Sequence, residues 1–283
     1  MTPIPVFYTP RMVVPSVTAS PSARKPAAVV ASWEKQFPIQ IIEPKPATAE
    51  QLSLAHYPEY VSAILEGRAN NGFGDRSLLV AKSLPYTSGS MLSAARHALS
   101  TGKAAAAPCS GFHHAEFRKA KGFCTFNGLM VTALVLKEEG LVKKVGIVDL
   151  DMHYGDGTDN IILVRDAAKW VRHFTAGRTF LDQSQAKAFF RILPLRLAEM
   201  DDCDVVLFQA GADAHIDDPY IGFLNTEELR QRDALVFDTF SKLHVPVAWN
   251  LAGGYQVKPD GSIPVVLEIH DNTMRECVRV YST

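Results

Sequence analysis

The chain is 283 residues long and 47% hydrophobic, enough to bury one large core, and α/β chains of this length commonly form one domain. Its formal net charge is −1 and no block of like charges appears, which excludes an electrostatic footprint for nucleic acid or an anionic membrane.

Ile4 to Tyr8 reads as a first strand, followed by a Pro/Ser-rich loop through about Arg24. A helix over Ala27 to Glu34 leads to a second short strand, Ile39 to Ile42. Thr48 and Gln51 form a capping-box-like start, and helical spacing continues through Tyr60 and Ile64. Residues 68–86 carry turn residues and read as loop. Helix returns from Thr87 to Leu99, then a small-residue strand runs from Lys103 to Ala107. Asn127 to Glu139 is helical, stopped by Gly140. Val145 to Val148, Val205 to Phe208 and Val245 to Trp249 are apolar runs of strand length. They alternate with helices at Ala186 to Glu199, Thr226 to Leu243 and Ile263 to Ile269. Such alternation predicts an α/β fold, a three-layer α/β/α arrangement around a mostly parallel sheet, in one domain over residues 1–283. Cys109, Cys124, Cys203 and Cys277 are scattered without a C-x-x-C pair and fit free thiols in a reducing compartment. Residues 1–10 lack a basic-then-apolar signal pattern, and no apolar run approaches membrane-spanning length. A cytoplasmic protein with neither a nucleic-acid nor a membrane partner is the expectation.

The reactive residues fall directly after the expected strands: Pro108 to His114, Asp149 to Asp156, Ala210 to Asp217 and Gly253 to Tyr255. Ligands of α/β sheets bind at the carboxyl ends of strands, so these clusters are expected to converge. Asp149, Asp151 and His153 alternate, and an extended strand end would point all three to one side. Two carboxylates and an imidazole suit a divalent metal such as Zn²⁺; a polar turn after a buried strand is the plain alternative. If Asp151 and His153 bind metal, Asp149 and Asp156 are free to orient His113 and His114 for acid–base work. Asp213 is a candidate third ligand, with His215 and Asp217 as neighbours that compete for the assignment. Tyr255, after Gly253-Gly254, has a phenol that could donate a hydrogen bond to a developing oxyanion, but taken alone the tripeptide reads more simply as a turn tyrosine. Gly122-Phe123 suits a tunnel wall, Cys124 and Phe126 suit the core, and Cys109 has no assigned base to make it a nucleophile.

In this order the motifs resemble the histone deacetylase-like and acetylpolyamine amidohydrolase-like zinc amidohydrolases. The matching pieces are Leu52-Ser-Leu-Ala-His-Tyr-Pro-Glu-Tyr60, Gly111-Phe-His-His-Ala115, Gly122-Phe-Cys-Thr-Phe-Asn127, Asp149-Leu-Asp-Met-His153, Ala210-Gly-Ala-Asp213 and Gly253-Gly-Tyr255. The resemblance implies the arginase-deacetylase fold, a deacetylase-like catalytic domain and hydrolysis of an N-acylated amine such as acetyl-lysine or an acetylpolyamine. It implies Asp151, His153 and Asp213 as ligands of Zn²⁺ or Fe²⁺, His113 and His114 as the acid–base pair and Tyr255 as the oxyanion donor. It also implies a structural monovalent cation such as K⁺ near Asp149, Asp151 and His153. Two departures stand out. Tyr154 occupies a position where the family often has histidine, and only about sixty residues separate His153 from Asp213. That shortened connection removes a tunnel wall, which Phe174, Phe180 or a neighbouring subunit of a homo-oligomer would have to replace. The competing functions are a catalytically silent binding module and a binuclear arginase-like ureohydrolase. Retention of the whole residue set argues against the first, and the lack of a D-x-D pair at Asp213-Ala-His215 against the second.

Overall fold

A computed structural model describes residues 2–15 and 20–282; residues 16–19, within the expected Pro/Ser-rich loop, lie outside it. The strands are β1 (Ile4–Phe7), β2 (Ile39–Ile42), β3 (Ala104–Ala107), β4 (Val145–Asp149), β5 (Val171–Thr175), β6 (Val205–Gly211) and β7 (Val247–Ala252). All pair in parallel, in the order β2-β1-β3-β7-β6-β4-β5. The α-helices among the described residues are α1 (Lys25–Gln36), α2 (Ala49–Ala55), α3 (Pro58–Leu65), α4 (Leu78–Thr101), α5 (Gly128–Glu138), α6 (Asp156–Val164), α7 (Ala186–Ala198), α8 (Thr226–Leu243) and α9 (Pro264–Tyr281).

Successive side chains of a strand point to opposite faces, and here they feed two separate cores. Ala104, Ala106, Val206, Phe208, Val247 and Trp249 pack with Trp33 of α1, Phe189 of α7, Phe237 of α8 and Val266 of α9. Their neighbours Ala105, Ala107, Val205, Leu207 and Ala248 pack on the other face with Leu52 of α2, Val61 of α3, Met91 of α4, Leu129 of α5 and Ile161 of α6. Burial on both faces is why the central strands read as unbroken apolar runs. The three-layer α/β/α architecture is therefore the one the sequence predicts. No helix among the described residues is long and apolar enough to cross a membrane.

Several elements differ from the sequence reading, among them α6, which it does not include, and α9, which runs to Tyr281 rather than ending near Ile269. The helical run after Thr48 is two helices: Pro58 occupies the first turn of α3, and His56 and Tyr57 between them are extended. α4 starts at Leu78 rather than Thr87, because Ser77 caps Val80 N–H at 3.4 Å and the helix continues through Pro85. β5 lies in the stretch read as a connection. Arg172 and His173 interrupt its apolar pattern, yet it pairs along its length with β4, from Val145↔Val171 to Asp149↔Thr175. All four cysteines are unpaired and buried.

Candidate active site

β4 ends at Asp149, and residues 150–153 bend instead of extending. Convergence of the three alternating residues therefore comes from the bend, not from a strand face. Asp149 Oδ1 accepts from Asp151 N–H at 3.3 Å, and Asp151 Oδ1 accepts from His153 N–H at 2.9 Å. These bonds fold the segment toward the end of β6, where Asp213 Oδ1 accepts from Met152 N–H at 3.1 Å.

Ligand-type atoms of Asp151, His153 and Asp213 all lie within 4.8 Å of one another. His153 Nδ1 is 3.2 Å from Asp151 Oδ1 and 3.0 Å from Asp213 Oδ2. Both carboxylates are buried, at 2% and 0% exposure. Hydrogen bonds to Asp151 and Asp213 raise His153 to about 11, while burial and then the nearby Asp151 raise Asp213 to about 7. Burial also acts to raise Asp151, but His113 and His153 hold it below the usual carboxylate range. Two buried carboxylates beside one imidazole are a donor set that could hold a divalent cation. The competitors drop out. His215 Nε2 pairs with Thr226 Oγ1 at 3.0 Å, its Nδ1 accepts from Asp217 N–H at 3.1 Å, and the Asp217 carboxylate is exposed.

The two adjacent histidines each meet a carboxylate. His113 Nδ1 pairs with Asp149 Oδ2 at 2.8 Å and His114 Nδ1 with Asp156 Oδ1 at 2.7 Å. In each, Nδ1–H donates to the carboxylate; His113 Nε2 lies 3.6 Å from Asp151 Oδ1. Gln209 donates to Asp149 Oδ1 at 3.1 Å, and Asp156 opens α6, where a carboxylate is favoured. The two environments split the pair. Burial acts to lower His113, but Asp149 and Asp151 carry it up to about 9. Burial and the charge of His113 push His114 down, against Asp156.

Aromatic rings enclose the cluster. Phe123 adopts a left-handed φ of 61° and sits between Phe73 and Tyr255, at 6.0 and 5.9 Å between centroids. Its neighbour Gly122 is required by contact: a Cβ there would lie 2.5 Å from His114 Cδ2. Gly253 is equally constrained, with φ of 45° and a built Cβ 2.1 Å from Asp213 Cγ; Gly254 follows at φ of 86°. Tyr255 N–H donates to Asp218 Oδ2 at 2.7 Å, and its hydroxyl has no hydrogen-bond partner among the described residues. Cys124 and Phe126 are core residues as expected, and Cys109 is fully buried with its thiol pushed up by burial.

The wall expected from Phe174 or Phe180 is not where either residue lies. Phe180 packs in the core against Phe189 and Phe223, at 5.2 and 6.0 Å, and Phe174 leans on the same cluster. Tyr220 stands there instead, its ring 4.8 Å from Tyr255 and 5.5 Å from His153. Asp218 fixes this arrangement by also accepting Tyr220 N–H at 3.0 Å. Tyr154 stays outside the ligand cluster and donates its hydroxyl to Asp159, which pairs with His173 at 2.7 Å.

Three further polar residues support this end of the sheet, and of these Lys121 and Lys25 carried no sequence signal. Lys121 ion-pairs with Asp156 behind His114. Lys25 is fully buried in α1, donating to the carbonyls of Ala252, at 3.3 Å, and Gly253. Burial lowers it to about 8, against the pull of Asp213 and Asp151. His56, of the motif ending at Tyr60, is a tether: Nδ1 meets Glu116 O at 2.9 Å and Nε2 accepts from Asn127 N–H at 2.8 Å.

A sheet whose strand ends converge on two histidine–carboxylate pairs and an Asp-His-Asp cluster has the layout of a hydrolytic centre. The family model of the histone deacetylase domain matches residues 21–174, and the chain belongs to that family, whose members are hydrolases acting on amide bonds. An uncharacterised protein of Picosynechococcus sp. is 29% identical over 245 residues, covering 77% of this chain and 79% of that protein. The acetoin utilization protein AcuC of Staphylococcus aureus is 32% identical over 136 residues, 43% of this chain but only 34% of that protein. Among solved structures, the HDA15 HD domain superposes with a TM-score of 0.77 at 20% identity, covering 99% of this chain and 90% of that one. The acetylpolyamine aminohydrolase of Burkholderia pseudomallei gives 0.76 at 17%, covering 98% and 99%. Both likenesses are of fold.

Proposed function

We propose that the chain is a zinc-dependent deacetylase, with Fe²⁺ as the alternative ion, that removes an acyl group from an N-acylated small-molecule amine. The observation that carries this reading is the Asp151-His153-Asp213 cluster set beside two histidine–carboxylate pairs. Asp151, His153 and Asp213 would hold the ion, which when bound supplies Lewis acidity to the carbonyl and to water.

The remaining chemistry belongs to this chain's side chains. His114, the histidine driven toward its neutral form, takes a proton from the attacking water as its oxygen bonds to the carbonyl carbon. His113, held protonated between Asp149 and Asp151, gives a proton to the nitrogen as the C–N bond breaks. Asp149 and Asp156 fix ring orientation and tautomer through Nδ1. Tyr255 donates its hydroxyl hydrogen bond to the carbonyl oxygen as negative charge develops there. Gly122, Phe123, Gly253 and Gly254 shape the pocket, and Tyr220 adds a wall.

The short connection after His153 and the one-third exposure of His153 support a pocket wider than a narrow acyl-lysine tunnel, even with Tyr220 as a wall. A thin lysine arm then loses apolar burial worth roughly 0.8 kcal/mol per methylene. Bulkier N-acylated amines are the favoured substrates over acetyl-lysine peptides. The four unpaired cysteines fit a cytoplasmic setting. The test is metal analysis of purified protein followed by a panel of N-acylated amines, amino acids and peptides. About one equivalent of divalent metal and turnover best on small acylated amines is the expected result. Two tightly bound equivalents would favour a binuclear site, and a wide margin for acetyl-lysine peptides would overturn the substrate assignment.

A further inference from the structure

α8 runs behind the strand ends, and its Arg232 is fully buried. Arg232 Nη1 donates to the carbonyl of Leu150 at 3.0 Å and to that of Gly211 at 2.7 Å. Leu150 lies between Asp149 and Asp151, and Gly211 is two residues before Asp213. One guanidinium nitrogen thus bridges the backbones of the two segments that deliver both carboxylates of the cluster. The segments touch at the same place, since a Cβ on Gly211 would come within 2.3 Å of Asp151 Cα. From behind, Arg232 Nε donates to Asp233 Oδ1 at 2.8 Å, and Asp233 Oδ2 accepts from Thr273 Oγ1 of α9 at 2.6 Å.

A buried Arg–Asp pair is a poor device for stability alone, because apolar residues of similar volume usually serve the fold as well or better. Its distinctive property is geometry: a planar guanidinium, fixed at Nε by a carboxylate, presents its two Nη1 hydrogens in set directions, one to each carbonyl. We propose that Arg232 is a positioning residue for the metal site, fixing the separation of Asp151 and Asp213 through Leu150 and Gly211; this rests on the metal reading above. Groups that orient ligands from behind typically change metal affinity 10- to 100-fold when removed.

The deciding variant is Arg232→Met/Asp233→Asn, which removes both buried charges together so that neither is stranded. Two readings are taken: zinc affinity by chelator competition, and amide hydrogen exchange of residues 150–153 and 211–213 in metal-free protein. The proposal expects zinc affinity to fall at least tenfold and exchange in those two segments to rise at least tenfold, in protein that remains folded. Arg232→Lys, which keeps a donor but not the planar guanidinium, should fall between the double variant and the wild type, and it decides the matter if the double variant does not fold. A merely structural role would lower the melting temperature while leaving affinity and local exchange within twofold of wild type, and that result overturns the proposal. If the wild-type chain binds no divalent metal, the metal reading fails, and the exchange measurement alone decides whether Arg232 holds the two segments.

Discussion

Tyr255 is fixed by its backbone and free at its hydroxyl, so the two halves of the residue can be tested apart. Tyr255→Phe should leave the melting curve unchanged and lower kcat by on the order of 10²–10³, the usual cost of one oxyanion donor. Near wild-type turnover by this variant would remove Tyr255 from the mechanism. Gly253→Ala has the opposite signature. Its methyl would meet the Asp213 carboxylate at contact far inside van der Waals range, so stoichiometric zinc binding should be lost in a metal titration, together with activity. Most of these residues were legible in the sequence because their types, spacing and place after apolar runs belong to one chemistry. Lys25, Arg232 and Tyr220 were not. A lysine or arginine in a helix is ordinarily solvated, and nothing local marks the two that turn inward onto carbonyls from other segments.

The loop from Asp213 to Leu224 behaves as an element in its own right. His215 pins it to Thr226 and Gln256, and Asp218 pins both Tyr220 and Tyr255. Asp218→Ala should therefore loosen two pocket rings at once without touching the ligand cluster. The expected outcome is kcat/KM about tenfold lower with metal content still near one equivalent; loss of the metal instead would show that the loop holds Asp213 as well. Tyr220→Ala should raise KM for apolar acyl groups more than it lowers kcat, read from steady-state kinetics on an acyl-chain series. The capping box at Thr48 was plain from sequence because both its hydrogen bonds are local. β5 was hidden because Val-Arg-His-Phe-Thr becomes a strand through pairing with β4, a partner more than twenty residues away that local pattern cannot show.

At the scale of the molecule, the parallel sheet and its two covered faces followed from apolar runs alternating with helices, whereas strand order did not. Order depends on crossovers that leave no trace in the periodicity of any one segment. The ligand cluster joins β4 to its neighbour β6, two strands paired on both sides within the sheet, so metal bound there should stabilise the fold. At free zinc about 100 times Kd, linkage gives about 2.7 kcal/mol. Adding a chelator should lower the melting temperature by on the order of 5 °C, reversed by zinc, in a calorimetric scan. A melting temperature indifferent to chelator would place the metal off the folded state's energy balance.

Lys25 gives the molecule an order in time. Its acceptors, Ala252 and Gly253, are 227 and 228 residues further along the chain, so during synthesis the ammonium group waits through most of translation for the carbonyls that permit its burial. Until then α1 carries a charge that holds it off the apolar face it later covers, because an ammonium buried without acceptors is strongly unfavourable. Both acceptors lie close before Tyr255, so Lys25 can meet them only once that segment has been made. A nascent chain halted before β7 would therefore lack both the acceptors that allow Lys25 to be buried and the residue Tyr255.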